Sequence, residues 1–94
     1  MIMRPSREAV ARWNSAYAEQ TEALFAAMRS PAGDVAAVLR LARSYHDLAQ
    51  AWRTLAADLA VPLWARHASS VAAEEFDRRA HVEHSRASRS RGIT

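Results

Sequence analysis

The sequence predicts an all-α protein, a small antiparallel three-helix bundle, on the strength of three observations. The chain is 50% hydrophobic, and much of that hydrophobic half is alanine, which favours helix strongly. A seam of large apolar residues recurs at alternating steps of three and four residues, the period of an amphipathic helix. Two proline-containing breaks divide the chain into three segments. The seam consists of Val38, Leu41, Tyr45, Leu48, Trp52, Leu55 and Leu59.

The first helix is predicted to run from about Ser6 to Arg29. Ser6 is a suitable N-cap, and Glu8 lies in the first turn, where a negative charge favours the helix dipole. Glu8 and Arg12 form a well-oriented pair four residues apart. The apolar positions of this helix are Val10, Trp13, Tyr17, Leu24, Phe25 and Met28.

The second helix is predicted to run from about Val35 to Ala60, with Asp34 as its N-cap. The segment 30–33, Ser-Pro-Ala-Gly, separates it from the first helix, because proline cannot continue a helix and glycine permits positive φ. Such a short connection predicts an antiparallel helical hairpin.

The pair Val61-Pro62 is the second break. Pro62 suits the first turn of a separate third helix, which is the interpretation we favour. No glycine precedes it, so the alternative is one long helix kinked between Asp58 and Pro62. The third helix is expected to fade after Val82. Its inward positions are expected to be Trp64, Ala68, Val71, Ala72 and Phe76.

The charge distribution predicts a single helical domain over residues 1–84 and a flexible, Arg/Ser-rich tail over residues 85–94. The tail contains three arginines and no acidic residue, which equals the net charge of +3 for the whole chain. The body is therefore balanced in charge, which argues against a broad surface for duplex DNA.

Several classes of protein are disfavoured by what the sequence lacks. There is no cysteine, no apolar stretch of the ~20 residues that span a membrane, and no secretory signal, so a cytoplasmic protein is expected. Gly33 and Gly92 are the only glycines, so no Gly-rich phosphate loop can form. We expect no enzyme, no cofactor and no small-molecule substrate.

One group of residues has metal-binding character. Asp77, His81 and His84 share a helix face, and a carboxylate with two imidazoles can bind zinc or iron. The spacing is common by chance, and no second Glu-x-x-His element completes a di-iron site. A solvated helix end is the favoured interpretation, so no metal is expected. His46, beside Tyr45, is interpreted as a histidine at the edge of the core.

The predicted function is that of a non-enzymatic protein–protein interaction module, a small adaptor or regulatory subunit that associates with itself or with another protein. The core is marginal, and the chain has more large apolar positions than a lone hairpin covers. Tryptophan, tyrosine and arginine dominate interface hot spots. The candidate interaction residues are Trp13, Tyr17, Trp64, Arg66, Arg86, Arg89 and Arg91.

The alternative function is that of a nucleic-acid-binding accessory protein. It uses the tail, where Arg86, Arg89 and Arg91 would contact phosphates. Three charges give only a weak, salt-sensitive contact.

Overall fold

The structure, a computed structural model that describes residues 6–92, confirms the all-helical fold. It contains three helices, α1 (Arg7–Arg29), α2 (Val35–Ala56) and α3 (Leu63–Gly92), and no strand within the described residues. Residues 57–62 form a turn between α2 and α3, so these are separate helices and not one kinked helix. In the part of the chain that is described, no helix combines the length and the apolarity needed to cross a membrane.

Side-chain caps begin the first two helices, as predicted. The Ser6 hydroxyl accepts a hydrogen bond of 2.9 Å from the backbone nitrogen of Ala9. The Asp34 carboxylate accepts one of 3.1 Å from the backbone nitrogen of Ala37. Each cap satisfies an N–H group that has no partner inside its helix. Between the two helices, Gly33 adopts a φ of +86°, which glycine tolerates without strain.

α2 ends at Ala56, before the predicted end at Ala60, and Asp58 supplies the reason. Its Oδ1 accepts a 2.9 Å hydrogen bond from the backbone nitrogen of Ala60, and its Oδ2 accepts a 3.0 Å bond from that of Ser6. An aspartate that bonds nearby N–H groups competes with the helical ladder. Leu59, predicted to end the seam, therefore lies in the turn and is 77% exposed.

The two hydrogen bonds to Asp58 make stability depend on pH. They lower the pKa of its carboxyl group, the bond from Ala60 most strongly and the bond from Ser6 next. The stabilisation is therefore complete above the unfolded value of about 3.9 and is lost as pH falls through the lower folded value. We expect Asp58→Asn to be less stable than the wild type at neutral pH, and the difference to shrink in acid. Urea unfolding at several pH values measures this difference.

Asp47→Asn is the matched control for this prediction, because Asp47 is exposed on α2. A difference in unfolding free energy between Asp58→Asn and the wild type that stays constant from neutral pH to strong acid contradicts the role of the Asp58 carboxylate.

The core lies where the first half of the α2 seam meets the other two helices. Val38, Leu41, Tyr45 and Leu48 are at most 9% exposed, whereas Trp52 and Leu55 are half-buried. Ala23 of α1, which has no exposed surface, packs with Leu41 and Tyr45 at the centre. The seam prediction is therefore right for its first four positions. The side chains packed around this centre are Leu24, Ala27, Phe76 and Ala80.

Polar contacts join α1 to α2 along their exposed edges. Arg12, predicted to pair with Glu8, instead donates a 3.2 Å hydrogen bond from Nη1 to Thr54 Oγ1. Arg40 donates two hydrogen bonds of 2.8 and 3.0 Å to the Glu19 carboxylate. Because these side chains are solvated, they contribute little net stability and mainly fix which residues face each other.

α3 faces α2 with small residues, which corrects part of the prediction. Trp64 and Val71 are 76% and 53% exposed, and Ala68 is exposed as well. Ala72 and Phe76 are half-buried. Small side chains allow two helix axes to approach closely, whereas tryptophan at the contact holds them apart. The buried positions of α3 are Ser69, Ala73 and Ala87, at 5%, 1% and 1% exposure.

The C-terminal segment is helical as far as Gly92, where a flexible tail was predicted. Ala87 is 1% exposed, so this part of α3 is packed and not merely extended into solvent. Arg86 donates a 2.6 Å hydrogen bond to Glu83 one turn earlier. Alanine and arginine both favour helix, which outweighs the serines of the segment. Residues 93 and 94 of the predicted tail lie outside the described part of the chain.

Candidate interaction surfaces

Three large apolar side chains are exposed at the turn between α2 and α3. Leu59, Leu63 and Trp64, here called the turn patch, are 77%, 72% and 76% exposed. Val61 in the same turn is buried, and its backbone nitrogen donates a 3.0 Å bond to the Asp58 carbonyl. The turn therefore buries Val61 and leaves the three residues of the turn patch exposed.

Trp64 is the second residue of α3, which begins directly after the turn. The backbone nitrogen of Arg66 donates a 2.9 Å bond to the Pro62 carbonyl, so the helix starts immediately after the proline. Exposed tryptophan and leucine side chains at one place are a frequent mark of a binding surface. Arg66, a candidate beside Trp64, is half-buried, and its Nε is buried without a hydrogen-bond partner among the described residues.

The aromatic candidates on α1 divide into one packed ring and one exposed ring. Trp13 stacks on Tyr17 with ring centroids 5.1 Å apart and meets Trp52 of α2 edge-on at 5.2 Å. Trp13 is half-buried, so it mainly joins α1 to α2, while Tyr17 is 50% exposed. Farther along α1, Phe25 and Met28 are 48% and 70% exposed.

Two of the three arginine candidates near the end of α3 have described side chains, and one of these two is paired with an acidic residue. Arg86 is paired with Glu83, which offsets its charge. Arg89 is exposed, and the side chain of Arg91 lies outside the described part of the structure. This pairing reduces support for the nucleic-acid alternative, which relied on three unopposed charges.

A cleft of about 460 Å³ between α2 and α3 brings together three of the four histidines. His46 of α2 lies opposite Asp77, His81 and His84 of α3, and we call this site the histidine cleft. Helical spacing predicts that the α3 residues share one face, but it does not include His46. The sequence does contain a sign that His46 belongs to the site. His46 lies 16 residues before Pro62 and Asp77 lies 15 residues after it, so the two residues face each other if α2 and α3 form a hairpin.

Asp77 is held in place from the α2 side of the cleft. Its Oδ2 accepts a hydrogen bond from the Arg53 guanidinium, and its Oδ1 lies 4.0 Å from His46 Nδ1. Arg53 therefore balances the charge of the carboxylate. Among residues 6–92, no three or more side chains of metal-ligating type are grouped so as to hold an ion.

The fold and these surfaces define a small all-helical protein that has an exposed apolar patch at one turn and a histidine-lined cleft between two helices. No protein-family model matches the chain, and neither curated proteins nor solved structures show a significant match to it.

Proposed function

We propose that this chain is a non-enzymatic protein–protein interaction module, a small adaptor or regulatory subunit, that associates with a second copy of itself through the turn patch. The carrying observation is that Trp64 is 76% exposed beside two leucines of similar exposure. Removing apolar surface from water contributes about 25 cal/mol per Å² of favourable free energy, part of which is offset by the entropy that association costs. The absence of cysteine agrees with a reducing compartment, so we propose that the protein acts in the cytoplasm.

We also propose that the three helices form an antiparallel bundle. Arg12 in the first half of α1 meets Thr54 near the end of α2, while Glu19, later in α1, meets Arg40, earlier in α2. The histidine cleft joins the first half of α2 to the second half of α3, which is again the reversed order. In such a bundle the turn patch is at one end of the molecule, and Met28 is near the other.

The narrow dimensions and small core of the protein favour a second copy of the chain as its partner. The Cα atoms span 59 × 19 × 15 Å, so little of the chain lies far from solvent. Among the described residues, the largest fully buried side chains are Leu48 and Ser44. A core of this kind stabilises a small domain by only about 5 kcal/mol, and association with a copy adds to that by mass action. The net charge of +3 repels a second copy only weakly.

Sedimentation equilibrium over a wide range of concentrations tests the proposal. We expect the wild type to associate, and Trp64→Ala to weaken the association about tenfold or more, because truncating a central aromatic anchor costs about 2 kcal/mol. Met28→Ala is the matched control, since Met28 is 70% exposed but lies on α1 away from the turn patch.

A wild-type chain that remains monomeric at every concentration contradicts the proposal. Equal weakening by Trp64→Ala and Met28→Ala contradicts the assignment to the turn patch. Circular dichroism of each variant verifies that the helices are retained.

A further inference from the structure

We propose that the histidine cleft binds a small organic anion, with an affinity that rises as its imidazoles gain protons. The site is distinct from the turn patch, so the inference goes beyond the proposed interaction function and does not depend on it. The volume of about 460 Å³ falls within the range of about 300–1,000 Å³ that small-molecule sites occupy.

The cleft offers both an apolar wall and hydrogen-bond donors. Leu39 and Ala42 of α2 and Ala80 of α3 supply apolar surface for the body of a ligand. The Arg43 guanidinium and the three imidazoles supply donors that a carboxylate or sulfonate accepts. This combination suits an organic acid better than an inorganic ion.

The net charge of the cleft depends on its histidines, because the other charged groups around it balance. The charged and titratable groups on the α2 side are Arg43, His46 and Arg53. Those on the α3 side are Glu74, which acts on Arg53, and Asp77, His81 and His84. Among the described residues, none from α1 lines the cleft.

The two arginines and the two carboxylates of this set balance, and Asp77 is already bonded to Arg53. A protonated imidazole carries a positive charge and donates from both of its ring nitrogens. Each proton that the imidazoles of the cleft gain therefore adds a positive charge to an otherwise balanced set, and an anion is attracted.

Calorimetric titration with benzenesulfonate tests this inference, because the sulfonate stays singly negative at both pH values used. We expect binding about tenfold tighter at pH 6 than at pH 8, because a hydrogen bond from a charged donor is stronger than one from a neutral donor. Benzenesulfonamide has nearly the same shape without the charge. It is expected to bind weakly and equally at both pH values.

Amino-acid substitutions test whether benzenesulfonate binds in the histidine cleft. The double variant His81→Gln and His84→Gln is expected to lose about tenfold in affinity at pH 6 and most of the pH dependence. Arg43→Gln is expected to weaken binding at both pH values. His67→Gln is the matched control, because His67 is exposed on α3 and is the histidine that does not line the cleft. Trp64→Ala is expected to bind normally, which separates this result from the test of self-association.

Three results overturn the inference. One is no binding of benzenesulfonate at pH 6. Another is equal binding of the neutral sulfonamide. The third is a loss in His67→Gln as large as that in the cleft variant, which identifies general attraction of anions to a basic protein. The exchanged side chains are exposed, so the helical circular dichroism of the variants is expected to match the wild type.

Discussion

Replacing Leu48 by alanine is expected to lower the free energy of unfolding by about 2–5 kcal/mol, the range for deleting a buried leucine. Leu48 has no exposed surface and is one of the largest fully buried side chains in the protein. A small domain has only about 5 kcal/mol of stability in total, so the variant is expected to be largely unfolded at moderate temperature. Urea and thermal unfolding followed by circular dichroism measure the loss.

Leu59→Ala is the matched control for Leu48→Ala. The spacing of the seam treats both leucines as core, but the structure leaves Leu59 77% exposed in the turn. A surface substitution of this kind changes stability by about 0.5 kcal/mol or less. Similar losses in the two variants would show that α2 continues to Leu59 and buries it.

Replacing Phe76 by alanine is expected to cost about 2–3 kcal/mol, below the 3–5 kcal/mol of a fully buried phenylalanine because the ring is half-buried. Phe76 stacks on Tyr45 of α2 with centroids 6.0 Å apart, and the Arg79 guanidinium lies 5.2 Å above its ring. Its removal therefore loosens the contact between α2 and α3. The measurement is urea unfolding at a concentration low enough for the monomer.

Trp64→Ala is the control for Phe76→Ala on the same helix. The sequence places both aromatic residues on the inner face of α3, whereas the structure exposes 76% of Trp64. We expect its removal to leave the stability of the monomer nearly unchanged while weakening self-association. A loss larger than that of Phe76→Ala contradicts the observed face of α3.

The helix boundaries that were predicted well depend on residues close together in the chain. Ser6 and Asp34 cap their helices through the backbone three residues ahead. The break at residues 30–33 follows from proline and glycine alone. The end of α2 was missed because the apolar period takes no account of Asp58, whose carboxylate bonds the backbone of Ala60 and, from far away in the sequence, that of Ser6.

The histidine cleft also combines a feature that is local in the sequence with one that depends on the tertiary structure. The face shared by Asp77, His81 and His84 follows from helical spacing. The addition of His46 depends on how α2 and α3 pass each other, which is determined by the length of the turn and by the packing of small residues.

The amino-acid sequence by itself determined that the chain forms three helices, where the first two begin, and that Val38, Leu41, Tyr45 and Leu48 lie on the core side of α2. These features arise from backbone hydrogen bonding and from a period of large apolar side chains, both local in the chain. The tertiary structure alone decided that α3 buries Ser69, Ala73 and Ala87 and leaves Trp64 in solvent. The physical reason is that small side chains allow the axes of two helices to approach closely. The pattern of apolar residues along one helix does not reveal how close its neighbour lies.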